Sequence, residues 1–149
     1  MTLCIVDMQP NFLLAKQKRT IEATIEEIKK AKKNREGIVV LEYEEEGETH
    51  PSILKALGRY KRVVFEKKED DDGGDEFVSA CCRHRFSLRQ VKVCGVNVFA
   101  CVFRTINGIK RHRPNTRIVV AYKAVHDNYR SRADQKDFLS HMADVDALV

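Results

Sequence analysis

The sequence predicts an α/β domain in three layers, a mainly parallel sheet doubly wound by helices, and three observations carry that prediction. Short β-branched apolar runs alternate with amphipathic stretches along all 149 residues. The runs are apolar at successive positions and not only at every second one, so neither sheet face is left wet. Turn-forming clusters separate the runs, and no internal repeat or linker interrupts them, so residues 1–149 read as a single domain.

Residues 3–8 form the first predicted strand, which runs out through Asp7-Met8-Gln9-Pro10 into a loop. On the helix that follows, Ile21, Ile25 and Ile28 share a face and Glu26 precedes Lys30 by four residues, until Gly37 stops it. The second strand, 38–43, leads into the acidic loop Glu44-Glu45-Glu46-Gly47-Glu48, after which Pro51 opens a short helix through Leu57. Residues 62–68 form the third strand. Asp70-Asp71-Asp72-Gly73-Gly74 then reads as a solvated turn, not a calcium loop, before a helix over 75–87 with Asp75 as its N-cap. The fourth strand is 91–96, and Cys101, Val102, Thr105, Ile106 and Ile109 form a helical stripe ending near Pro114. A fifth strand spans 117–125, and Phe138, Met142 and Val145 mark a terminal helix.

Composition narrows the classes. With 43% hydrophobic residues the chain is not a disordered or low-complexity segment. The longest uncharged run, between Lys92 and Arg104, is too short for a bilayer span of about 20 residues, so no membrane role is expected. The amino terminus has no secretory pattern, and the expected address is cytoplasmic. Five cysteines without paired CxxC spacing argue against a disulfide framework or zinc site; Cys4, Cys81, Cys82 and Cys94 read as buried small apolar residues. His50, His84, His112, His126 and His141 are scattered without metal spacing and read as surface or loop residues.

The formal net charge is +5, but its distribution is more informative. Residues 42–76 hold 12 acids against 6 bases, and residues 83–132 hold 12 bases against Asp127 alone. The ordinary reading is solvated helix faces. An anionic ligand, nucleic acid or a complementary face of a second subunit is also compatible, with nucleic acid not the expected partner.

Open parallel sheets bind ligands beyond the carboxyl ends of their strands. That rule selects Asp7, residues 42–46, Lys67 with Lys68, and residues 97–101. A thiol, a carboxylate and an ammonium are among them. A cysteine at a helix start beside a lysine is expected to favour the thiolate, a strong nucleophile.

These residues resemble the isochorismatase-like cysteine hydrolases, which include nicotinamidases and N-carbamoyl amide hydrolases, over roughly the first 125 positions. The family's first strand closes on a catalytic Asp followed by Gln and an aromatic, as in Ile5-Val6-Asp7-Met8-Gln9-Pro10-Asn11-Phe12. Its third strand ends in a catalytic Lys, matched best by Lys67 of Val63-Val64-Phe65-Glu66-Lys67, with Lys68 the competing position. Its fourth strand runs into Gly-Val-x-x-x-x-Cys-Val, matched by Gly95-Val96-Asn97-Val98-Phe99-Ala100-Cys101-Val102.

The resemblance implies a sheet order 3-2-1-4-5, with the sixth strand of larger members not evident. It implies that Cys101 attacks a carbonyl carbon to form a thioester, Asp7 relays the proton and Lys67 steadies both charges. A cis peptide at Val96-Asn97 would aim the Asn97 backbone N–H beside that of Cys101 as an oxyanion hole. Gln9, Phe12 and Tyr43 would line the substrate pocket.

There are departures. The Asp-x-His metal motif of nicotinamidases is missing between Glu42 and His50; Glu44, Glu46 and His50 are weighed as metal ligands, but a site without metal or other cofactor is expected. Lys123-Ala124 stands where many members have Asp-Ala, and the chain is short, so a second subunit is expected to complete the active-site walls of a homo-oligomer. The leading expectation is a hydrolase cleaving the C–N bond of a small amide or carbamoyl compound. The alternative is a catalytically silent relative that binds an anionic ligand or partner through the same cleft or its basic half. A nucleotide-binding or receiver-like domain fits the alternation but lacks its motifs, since Gln9-Pro10-Asn11 stands where a phosphate loop belongs.

Overall fold

A computed structural model describes every residue except Tyr129. In chain order the elements are β1 (Thr2–Val6), α1 (Lys18–Lys33), β2 (Gly37–Tyr43), α2 (Pro51–Leu57), β3 (Val63–Lys68) and α3 (Gly74–His84). They continue with β4 (Gln90–Val96), α4 (Phe103–His112), β5 (Arg117–His126), α5 (Arg132–His141) and β6 (Ala147–Leu148). Single 3-10 turns lie at Leu13–Lys16 and Glu44–Glu46, and a π turn at Val98–Val102. The strands form one sheet in the order β3-β2-β1-β4-β5-β6, every neighbouring pair parallel.

The two cores follow from side-chain alternation along each strand. Leu3 and Ile5 of β1, with Ile38 and Val40 of β2, face one way and bury Ile28 of α1 and Ile53 of α2. Cys4 and Val6, with Val39 and Leu41, face the other way, onto Phe77 of α3 and Ile106 and Ile109 of α4. Each such side chain contributes roughly 1.5–3 kcal/mol by leaving water. Both faces of β1 are therefore covered, and an uninterrupted apolar run is what such a strand requires.

Several expectations are corrected. A sixth strand does exist: Ala147 and Leu148 pair with Val119 and Val120, and Asp146 Oδ2 accepts the Ile118 N–H at 2.6 Å to anchor the approach. Two residues of strand carry no periodicity to read. Asp75 is exposed and does not cap α3; the Gly74 N–H at its start donates to Asp72 Oδ1 at 2.8 Å. Of the four cysteines taken as core, Cys82 is exposed. No helix among the described residues is long and apolar enough to cross a membrane.

Parallel strands place all their carboxyl ends on one edge of the sheet, so Asp7, Lys68 and the turn after β4 are neighbours by topology. Gly95 (φ +135°) sets the spacing, because a Cβ there would lie 2.1 Å from the Val6 carbonyl oxygen. Only glycine lets β4 come this close to β1 directly before Asp7.

Candidate active site

Asp7 is the first residue beyond β1. Its N–H donates to the Leu41 carbonyl at 3.0 Å, and its φ of 53° turns the chain out of the sheet. The left-handed region costs a side chain about 1–2 kcal/mol, and Asp and Asn visit it most readily. The side chain is fully buried, and Lys68 Nζ lies 3.0 Å from its Oδ2. Neither carboxylate oxygen makes a well-angled hydrogen bond to a described residue, which leaves lone pairs able to take a proton. Burial pushes the Asp7 carboxyl above its ordinary pKa, against the pull of Lys68 and Cys101.

The lysine beside Asp7 is Lys68, not Lys67. Lys68 is fully buried, donates to the Asp70 carbonyl at 2.8 Å and lies 4.4 Å from the centre of the Tyr43 ring. Lys67, half exposed, reaches Glu42 Oε2 at 2.8 Å on the opposite face. The pairing Glu42↔Lys67 and Tyr43↔Lys68 accounts for the difference, since partners in a parallel register share a face. Burial raises the Glu42 carboxyl, but Lys67 and the N–H and hydroxyl of Thr49, both at 2.7 Å, outweigh it and hold the group below its ordinary range. Space for the Lys68 stem comes from Gly73, where a Cβ would sit 2.9 Å from Lys68 Cδ.

Cys101 lies in the π turn before α4 and is 3% exposed. Its thiol donates to Asp71 Oδ1 at 3.5 Å, and Asn97 Nδ2 donates to the sulfur at 3.8 Å. Burial first, then Asp7 and Asp71, push the thiol well above its ordinary pKa against the opposing pull of Lys68. The expected resting thiolate is therefore corrected to a thiol: two carboxylates outweigh one ammonium in a desolvated site, and the sulfur does not sit at the first turn of α4.

The oxyanion expectation is corrected at Asn97. No described peptide bond is cis, and the chain turns through Asn97 in the left-handed region, φ 61° and ψ 61°. The Asn97 N–H is already used, donating to the His126 carbonyl at 3.1 Å. Its side-chain amide, not its backbone, faces the sulfur.

Of the expected pocket residues, Gln9 is a clamp. Its Oε1 accepts the Tyr43 N–H at 2.7 Å and its Nε2 donates to the carbonyls of Tyr43 and Gly47, at 2.9 and 2.6 Å. Phe12 and Tyr43, half-buried, meet edge to face at 6.3 Å between ring centres, with Tyr43 against Lys68. Sequence reasoning missed Asp71, which is held at 3.6 Å by the exposed Arg104. Its signal was the acid run directly after the lysine pair, which reads as solvent-facing unless α4 is known to fold over it. Glu44 and Glu46 do not converge with His50, whose Nδ1 caps α2 by accepting the Ser52 N–H at 3.2 Å. Among the described residues no three His, Cys, Asp or Glu are grouped to hold a metal ion. One cleft of about 550 Å³ lies between Phe99, Phe103 and Phe138, and another of about 720 Å³ between the start of α1 and His126. Neither is lined by Asp7, Lys68 or Cys101.

No family model matches the chain, and no curated protein matches it. Solved structures do. A nicotinamidase from Staphylococcus aureus superposes with a TM-score of 0.80 at 16% identity, over 99% of this chain and 98% of that one. An isochorismatase from Pseudomonas putida KT2440 gives 0.73 at 16% identity, over 99% and 86%. The chain has the isochorismatase-like fold. A third protein of this fold, the N-carbamoylsarcosine amidase from Thermoplasma acidophilum, gives 0.77 at 14% identity, over 99% and 94%. In the isochorismatase-like fold of this chain, the six-stranded order carries Asp7, Lys68 and Cys101 to one edge.

Proposed function

We propose that this chain is a cysteine hydrolase that cleaves a C–N bond of a small amide or carbamoyl compound through a thioester. The observation that carries the reading is the meeting of a buried carboxylate, a buried ammonium and a buried thiol at the ends of three parallel strands. The fold shared with a nicotinamidase and an N-carbamoylsarcosine amidase supports it.

In this reading Asp7 takes the Cys101 proton as Sγ bonds to the carbonyl carbon. The proton passes to the leaving nitrogen as the C–N bond breaks; Asp7 then takes a proton from the water that attacks the thioester carbonyl and returns it to Sγ as the C–S bond breaks. Lys68 offsets the charge on Asp7 and on sulfur as the proton moves. The Asn97 side-chain amide is the donor that faces the developing oxyanion, a role typically worth about 2.7–4 kcal/mol of barrier.

The test is a screen of nicotinamide, carbamoylated amino acids and ureido acids against the wild type and Cys101→Ala. Turnover is expected only with the thiol present, together with a mass increase on Cys101 when the acyl-enzyme is trapped. Full turnover of a substrate by Cys101→Ala would overturn the reading.

A further inference from the structure

The edge opposite the candidate site gathers basic residues that lie far apart in the sequence. Arg35 precedes β2, Arg62 precedes β3, Arg85 and Arg89 precede β4, and Arg113 and Arg117 stand at the start of β5. All six are exposed, and none forms an ion pair among the described residues. The paired bases nearby, Arg83, Lys110 and Arg111, sit on α3 and α4 instead. Arg59 and Lys61 add two more exposed charges beside Arg62.

These segments are tied into one band. The Ile38 N–H donates to the Arg62 carbonyl at 2.8 Å, and the Arg117 N–H to the Arg89 carbonyl at 3.1 Å. The Phe86 ring fills the space over Gly37, and the Arg62 guanidinium lies 5.1 Å from its centre. Arg35 (φ 57°) and Arg85 (φ 54°) hold left-handed turns at the ends of α1 and α3. Across β3 to β5 the band runs about 19 Å at ~4.8 Å per strand. A cleft of about 410 Å³ between Arg89, His112 and Arg113 lies at its β5 end. Glu36 is the one acid in these four segments, and Asp144 and Asp146, before β6, bound the band.

The chemistry of the band selects its partner. The exposed large hydrophobics among the described residues, Leu13, Phe65 and Val149, all lie outside these segments. The fully buried core of a protein interface is more apolar than ordinary surface, and an amphipathic helix that lies in a membrane buries apolar side chains; the band offers neither. A phosphodiester backbone needs neither, and planar guanidinium forks match its oxygens in pairs. We propose that this edge binds nucleic acid through its phosphate backbone without reading its sequence. The proposal is independent of the hydrolase reading.

The test is fluorescence anisotropy of the full chain with labelled single-stranded RNA of about 20 nucleotides, from roughly 50 to 200 mM KCl. Affinity is expected to fall with a log–log slope of about −3 to −4, from about five phosphates at ~0.7 each. Arg62→Glu/Arg89→Glu/Arg113→Glu is expected to lose at least about tenfold in affinity, and the Gln triple a smaller part of it. The control Lys18→Glu/Arg19→Glu/Lys123→Glu, exposed away from the band, is expected to retain binding, with thermal melts confirming that each variant is folded. No binding at the lowest salt, or equal losses in both charge-reversed triples, overturns the proposal. So does equally tight, arginine-dependent binding to phosphatidylserine–phosphatidylcholine vesicles, which would assign the edge to a membrane surface.

Discussion

Asp7 must be ionised to take a proton, yet it stands where burial favours its neutral form. Its raised pKa fixes the sign of the pH dependence. Below that pKa the base is protonated and idle, so kcat/KM of an identified substrate is expected to rise through a pH above the ordinary carboxylate range, and Asp7→Asn to remove the activity. Cys101 makes a second prediction. With its thiol pushed up, iodoacetamide at neutral pH is expected to modify exposed Cys82 before Cys101, as read by peptide mass mapping. Asp71→Asn removes one of the charges holding the thiol up, so it is expected to speed Cys101 alkylation. The two lysines separate by urea denaturation. Lys68→Met strands a buried carboxylate and is expected to cost about 3–5 kcal/mol. Lys67→Met gives up a half-exposed partner of a Glu42 that keeps its Thr49 bonds, and is expected to cost under about 1 kcal/mol.

At the scale of elements, what the sequence shows well is what repeats. The apolar run of β1, the β-branched run of β2 and the stripe through Ile106 and Ile109 each report a local period, and each element forms. The π turn at Val98–Val102 has no period of its own; it exists because Asn97 is tied to β5 and Phe99 N–H to Asp127 Oδ2 at 3.2 Å. Gly95 is legible only as one half of Gly-Val, whereas its physical demand is that a Cβ there would lie 2.1 Å from the Val6 carbonyl oxygen. Gly95→Ala therefore sets backbone against backbone, which cannot relax as a side chain would. It is expected to lower stability by more than about 3 kcal/mol in thermal denaturation, above the usual overpacking cost.

Over the whole molecule, parallel topology makes neighbours of charges that lie far apart in the sequence. Parallel topology returns the chain to the same edge after every strand and helix, so arginines from positions 35 to 117 become neighbours while Asp7, the Glu44–Glu46 turn and Asp71 collect at the other edge. The length of β4, seven residues at about 3.3 Å each, keeps the edges roughly 20 Å apart, beyond a Debye length of about 8 Å at physiological salt. Arg62→Glu/Arg89→Glu/Arg113→Glu is accordingly expected to leave the Cys101 alkylation rate unchanged.

Local pattern was enough to establish the doubly wound α/β class, the order of its main elements, and the standing of Asp7 and Cys101 at strand ends, because hydrophobic periodicity and turn chemistry are written in neighbouring residues. It could not establish which of two adjacent lysines meets Asp7, which amide of Asn97 faces the sulfur, that Gln9 clamps a loop, or that Cys101 rests as a thiol. Those depend on which face a strand register turns inward and on how many charges share a dry space, and both are set by residues brought together from β1, β3 and the segments beyond β3 and β4.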